Sequence, residues 1–363
     1  MKAKLSALTS LRFFAALLVF FSHLSFLQQS ESPTAVELFN KMMYEGYIGV
    51  TFFFILSGFI LSYANHGRTS SYKNYLYSRL ARIYPLHLLT LLCAIPLLLA
   101  VRGVESVSHW GKYIASLAYN ATLTQALSSS SSKYFSFNAP SWSLSVELFF
   151  YVLFPFFAVL RTKTIMILAL CVITLKGVLV LVVKPSAVHY IFYICPPLRL
   201  GDFLVGILLF RMYLGGTAPS VRGAGMLQCT SLLLLLAFAS LGQYVPQAYR
   251  FDIYYILPMG LLVYSFAFQY GVLARALSNK VLVLLGEASF AFYLVHQLII
   301  IAGQHVRLRA GSDHMLSTDI FYGFVYFVSA LILSLLLFKF FETPARMKML
   351  DYLRTARIRS FSS

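Results

Sequence analysis

The sequence predicts an all-α fold, a polytopic membrane helical bundle of about ten transmembrane helices with both termini in the cytoplasm. Three observations carry this prediction. Hydrophobic residues fill 59% of the 363 positions and charged residues only 11%, whereas a soluble domain carries about 25% charged residues. Runs of roughly 17 to 25 apolar residues cross a hydrocarbon core of about 30 Å as helices, and the chain has ten such runs. Lysine and arginine then fall unevenly on the two sides of the threading, which orients it.

The predicted spans are 6–25, 46–64, 84–101, 142–160, 164–183, 190–210, 226–242, 253–270, 281–302 and 319–338. Residues 111–127 are only moderately apolar, with Lys112, Asn120, Thr122, Thr124 and Gln125 scattered among them, and read as a helix lying at the interface. Ten crossings return the chain to its starting side. That side carries eighteen Lys and Arg and the other eight, while Arg12, Lys176 and Arg199 lie within spans. Cations accumulate in short cytoplasmic loops, so the termini are expected in the cytoplasm. An eleventh crossing would reverse every later element and spoil the asymmetry. The chain divides into a membrane domain over 1–345 and a basic cytoplasmic tail over 346–363. The largest hydrophilic insertion, about 102–141, is too short for a separate soluble domain.

The net charge of +17 does not indicate a nucleic-acid partner, because the cations are spread over short loops and the tail. Orientation and anionic membrane lipids account for most of it. Cys93, Cys171, Cys195 and Cys229 lie in or beside spans without metal-ligand spacing, so neither a metal site nor a structural disulfide is expected. Lys2 and Lys4 before an apolar run mimic a signal peptide, but the run is long and holds Arg12 and His23. It reads as the first transmembrane helix.

Within that helix, ionisable side chains cost about 2.5 to 3.5 kcal/mol each at the bilayer centre. Arg12 and His23 are eleven residues apart, about 16 Å along the axis and close to three full turns, so they share one face at two depths. Such a face suits a ligand threading through the bundle; the alternative is two polar groups satisfied by neighbouring helices. In the second span, an aromatic run leads to Ser57-Gly58, a small step that admits a close helix or a thin ligand. Before the third span, Arg79 and Arg82 stand three apart and present two guanidinium forks on one face, which suits phosphate capture as well as ordinary cytoplasmic anchoring. The fourth span opens Pro140-Ser141-Trp142-Ser143 and carries Glu147 about one and a half turns in, near the depth of His23. A carboxylate paired with an imidazole would fix its tautomer and raise its basicity, as a general base for a hydroxyl acceptor requires.

Lys176 in the fifth span has no partner nameable from sequence. Arg199 and Asp202 in the sixth are three apart and form an expected internal ion pair. Tyr293 and His296, also three apart, lie in the outer half of the ninth span and face one cavity or serve packing. A transporter or flippase using Arg12, His23 and Glu147 as an ion or substrate pathway is the rival reading, but matching broken helices in two halves are not evident. A glycan polymerase would be expected to carry a larger basic outer loop.

The sequence also resembles the acyltransferase 3 family of integral membrane acyltransferases. The matching pieces are Arg12 with His23, FFFILSGF at 52–59, RLARIYP at 79–85, PSWSLSVELFF at 140–150, RLGDFLVG at 199–206, FYLVH at 292–296 and FETPAR at 341–346. They occur in family order across nearly the whole chain. The resemblance implies O-acylation, usually acetylation, of an extracytoplasmic glycan such as O-antigen or another lipopolysaccharide or cell-surface polysaccharide, lipid-linked forms included. Acetyl-CoA is the implied donor substrate, with no bound cofactor, in a bacterial cytoplasmic (inner) membrane. It also implies that His23 is catalytic, that Arg12, Arg79 and Arg82 belong to the donor site, and that the element holding Trp142 and Glu147 is essential. Tyr293, Ser143 and Trp142 are candidate donors to the oxyanion. The residues leave open direct attack and an acyl-His23 intermediate.

Overall fold

In the computed structural model, which describes residues 4–68, 71–102, 110–311 and 315–361, the chain is helical throughout, with no strand among the described residues. Lys2, residues 103–109 of the predicted insertion and the last two residues of the tail lie outside them. The principal helices are α1 (Ser6–Ser22), α2 (Gly49–Asn65), α3 (Tyr72–Arg102), α4 (Trp110–Ala121), α5 (Trp142–Val159), α6 (Thr162–Leu179), α7 (Pro196–Gly215), α8 (Val221–Leu241), α9 (Ile253–Ala267), α10 (Lys280–Arg309), α11 (Leu316–Leu337) and α12 (Thr343–Phe361). Among the described residues, nine helical stretches are long and apolar enough to cross a membrane.

The predicted span 253–270 is the one that falls short. Its helix, α9, has 15 residues, about 22 Å at 1.5 Å per residue. The reason is its surroundings: Tyr255, Met259, Leu262, Val263 and Phe266 are all buried in protein. A helix enclosed by protein can end inside the membrane if its backbone groups find partners there. Gln228 supplies such a partner, donating from Nε2 to Tyr270 O at 2.9 Å just beyond the helix end.

Two other helices outrun the predicted spans. α3 starts at Tyr72, twelve residues before the expected 84, and therefore carries Arg79 and Arg82 on a membrane helix. Hydropathy marks only the part in hydrocarbon, whereas Tyr, Lys and Arg continue the helix past it. α10 extends to Arg309, and its last turn is anchored by a buried ion pair, Arg307 Nη2 to Asp319 Oδ1 at 2.7 Å. The segment expected at the interface contains helix α4, held by buried Asn120, whose Nδ2 donates to Ser116 O at 2.9 Å and Ser136 Oγ at 2.7 Å. All four cysteines are free.

The chain falls into two compact units. The first holds residues up to 28, 34–67 and 153–289. Its helices meet at glycines: a Cβ on Gly58 would lie 2.1 Å from Phe203 O, and one on Gly206 2.0 Å from Ile55 O, so α2 and α7 cross with each helix's glycine against the other's backbone. α1 is seated the same way, with Gly46 against Leu18 O, Gly49 against Ala15 O and Gly286 against Thr9 O. Below these contacts lies a charge-balanced quartet. Arg199 pairs with Asp202 at 2.9 Å and Asp252 at 3.6 Å, and Lys176 contacts Asp252 directly. Arg199 also donates to Phe251 O at 2.9 Å and Thr51 Oγ1 at 3.0 Å, so α2, α6, α7 and the start of α9 share one buried network. Lys176 thus has the partner that its sequence neighbours do not supply.

The second unit holds 29–33, 68–152 and everything from 290 on. There Asn138 Nδ2 donates to Leu294 O at 2.8 Å, tying the start of α5 to α10. α11 runs through a π-helical turn, Phe338–Glu342, into α12, which packs against α3.

Removing one member of a buried ion network leaves an uncompensated charge, worth about 3 to 5 kcal/mol. Asp252→Asn keeps the helix cap but deletes an anion, and a clear drop in melting temperature in detergent is expected. Lys176→Met in the same chain restores neutrality and should recover most of that loss; a double variant no more stable than the single would disprove the charge-balance account.

Candidate active site

The polar residues singled out in the sequence are distributed over both units. In the first unit, His23 terminates α1 and its N–H bonds back to Phe20 O at 3.0 Å. Its Nδ1 lies 2.8 Å from Val19 O. A carbonyl oxygen only accepts, so Nδ1 carries the proton and the lone pair of the neutral ring sits on Nε2. The turn that supplies this carbonyl is braced from outside: a Cβ on Gly49 would come within 3.0 Å of Val19 Cγ2, and one on Gly46 within 1.8 Å of Leu18 O. The 44–48 segment is itself held by Glu45, which accepts from Tyr255 and pairs with Arg250.

Arg12 and His23 are both half-buried on α1, three turns apart on one face. Ser57 is half-buried, whereas Gly58 is fully occupied as the crossing point of α2 with α7. Of the two uses considered for that small step, close helix approach is the one realised. Arg199 belongs to the buried quartet, a structural place of the kind expected for its pair with Asp202.

In the second unit, Trp142 and Ser143 are buried at the start of α5. Ser143 Oγ and Tyr293 OH lie 2.9 Å apart and both reach Pro140 O, at 3.0 and 3.2 Å, so Tyr293 on α10 is joined to the Pro-Ser-Trp-Ser turn. His296 is fully buried, its ring stacked on Phe292 and its Nδ1 3.3 Å from Phe292 O.

Glu147, half-buried one turn further along α5, accepts a hydrogen bond from Tyr151 OH. Within α1 the Val19 carbonyl holds the proton on His23 Nδ1. Arg79 and Arg82 interact electrostatically with both Tyr151 and Glu147. Arg82 also interacts with Glu342, and Arg346 interacts with Arg79, Arg82, Glu342 and Tyr151. Three guanidinium groups and two carboxylates thus gather in one unit.

Tyr151, Glu342 and Arg346 join this group without a local sequence signal that names their partners on α3. The FETPAR segment at 341–346 was visible as a motif, but nothing local to it points to residues on α3, 264 positions earlier than Arg346 in the case of Arg82. Tyr151 sits at i+4 from Glu147, a spacing that could have identified it.

Comparison with known proteins follows this geometry. A family described as an acyltransferase domain matches residues 5–339. The acyltransferase MdmB of Streptomyces mycarofaciens is 32% identical over 328 residues, 85% of this chain and 81% of its own. The peptidoglycan O-acetyltransferase OatA of Listeria monocytogenes serovar 1/2a is 24% identical over 339 residues, 83% of this chain, which spans about half (51%) of that relative's length. No solved structure matches.

The Val19 hydrogen bond makes the His23 tautomer measurable. In protein labelled with [15N]histidine and held above the imidazole titration, the signal absent from a His23→Gln control is expected to show the Nδ1–H form; an Nε2–H pattern would contradict the geometry.

Proposed function

Because the chain belongs to this acyltransferase family and is a multi-pass membrane enzyme, we propose that it moves an acetyl group from cytoplasmic acetyl-CoA to a hydroxyl of an extracytoplasmic glycan. The observation that supports this most is His23, whose Nδ1 is tied to Val19 O and whose Nε2 therefore holds the basic lone pair. Family membership removes the transporter reading of the same residues.

In the proposed reaction, Nε2 of His23 takes the proton of the acceptor hydroxyl as its oxygen attacks the thioester carbonyl. The tetrahedral oxyanion collapses, the carbon–sulfur bond breaks, and the imidazolium returns the proton to the CoA thiolate. The products are an O-acetyl ester and free CoA. Such positioned base assistance supplies about 10²- to 10⁴-fold, with orientation and oxyanion stabilisation contributing the rest.

Arg79 and Arg82 are assigned to the phosphates of CoA, in keeping with two guanidinium forks one turn apart on α3. Arg12 is assigned to the donor on the α1 face it shares with His23. Tyr293, bonded to Ser143, is the proposed oxyanion donor of the α5 turn. Glycan as acceptor is supported by the relative named as a peptidoglycan O-acetyltransferase, and a membrane location by the nine helices long and apolar enough to cross a bilayer. Membrane lipids surround the bundle in this reading.

NMR of envelope glycans from cells lacking the gene, complemented with wild type or with His23→Ala, tests the proposal. An O-acetyl signal restored only by the wild type, with the variant inserted at normal level, is expected and would name the sugar. Full restoration by His23→Ala would remove His23 from the chemistry, and no acyl group restored by the wild type would remove the glycan acceptor. Arg82→Ala should weaken acetyl-CoA binding about tenfold or more, as loss of a charged hydrogen bond does; unchanged binding would take Arg82 out of the donor site.

A further inference from the structure

Arg346 is the third guanidinium of the group that gathers around Glu147 and Glu342 in the second unit. It lies on α12, immediately after the π-helical turn that ends in Glu342, and α12 packs against α3, the helix of Arg79 and Arg82. π-helical turns inside longer helices are rare and are found frequently at functional sites, because the extra residue per turn re-aims the side chains that follow. Here the chain after the turn returns to two arginines far away in sequence, and Arg346 interacts with both of them.

Three like charges held within interacting range need anions. Glu147 and Glu342 provide two carboxylates, and Glu147 already accepts from Tyr151. Among these interacting groups three guanidinium groups face two carboxylates, whereas in the quartet of the first unit two cations meet two anions. Solvation differs within the trio as well: Arg79 and Arg82 are half-buried residues on α3, whereas Arg346 as a residue is more exposed.

From this arrangement we propose that Arg346 is a further donor-site residue, and that it receives the 3′-phosphate of the acyl-CoA while Arg79 and Arg82 hold the pyrophosphate. The inference rests on the acyl-CoA reading given above. The chemistry of the ligand sets the assignment. In CoA the pyrophosphate stands between the pantetheine arm and the adenosine, so it follows the thioester inward, and the 3′-phosphate on the ribose remains nearest the water. Two forks one helical turn apart on α3 match two linked phosphates, and the single fork from the other, more exposed helix position matches the outer, separate one. Glu342 acts through Arg346 as a positioning residue at the end of the π-helical turn.

The test measures equilibrium binding of acetyl-CoA and of 3′-dephospho-acetyl-CoA to the full chain in nanodiscs, for wild type, Arg346→Gln and Arg346→Lys. Wild type is expected to prefer acetyl-CoA by about tenfold or more, the worth of a charged hydrogen bond to phosphate. Arg346→Gln should lose that preference by weakening acetyl-CoA alone, leaving the dephospho compound bound as in wild type, and Arg346→Lys should retain part of it. A wild type that binds both compounds equally, or a Gln variant that weakens both alike, overturns the assignment to the 3′-phosphate while leaving acetyl-CoA as donor. A wild type that binds neither compound overturns the donor reading itself, and this inference with it.

Discussion

The need to neutralise charge away from water organises this protein. In the first unit it is met by matching numbers: Lys176 and Arg199 against Asp202 and Asp252, all at most 1% exposed. Because these four come from α6, α7 and the residue preceding α9, with Thr51 of α2 joining through its hydroxyl, none of those helices can shift without separating charges in a low-dielectric interior. The reciprocal glycines Gly58 and Gly206 add direct backbone contact between α2 and α7. The frame thus fixed carries the segment 44–49, and that segment, through Gly46 and Gly49, grips the last turns of α1. His23 is therefore placed by a chain of close contacts that begins at the ion network and ends at the Val19 carbonyl.

The second unit treats charge differently. Arg307 and Asp319 are matched and buried, as a structural pair should be. Around Glu147 the count is uneven, with Arg79, Arg82 and Arg346 set against two carboxylates. Matched, solvent-excluded ions hold helices together, and surplus cations leave room for a ligand that brings the missing charge. By this criterion Arg199, although it is an intramembrane arginine, belongs to the architecture, and the proposed recognition role falls to the arginines of α3 and α12.

Much of this was legible in the sequence because hydropathy and helix periodicity are local. The helical class, most of the spans and the shared face of Arg12 and His23 follow from spacing alone, as does the pairing of Arg199 with Asp202 at i and i+3. What was not legible depended on distance along the chain. Lys176 meets Asp252 seventy-six residues later, and Arg346 returns to a helix near the other end of the sequence, so no window contains either pair. α9 has the composition of a full span, but length in the membrane is set by what surrounds a helix, and its neighbours are protein. The start of α3 was missed for the opposite reason, since polar residues end a hydropathy run without ending a helix.

The orientation of His23 shows how local and distant information divide the work. A carboxylate partner was the expected device, because low dielectric strengthens such a pair. A helix terminus offers a simpler one. The last carbonyls of a helix lack intrahelical N–H partners, and an imidazole at the C-cap can donate to one of them from Nδ1. Val19 O serves this purpose for His23 at 2.8 Å, and the same arrangement directs Nε2 away from the helix end. The proton position is then held by the last turn of α1, braced by its glycine-packed neighbour. Such a fixed proton suits the base proposed here, because an arriving ligand alters the local field without changing which nitrogen bears the lone pair.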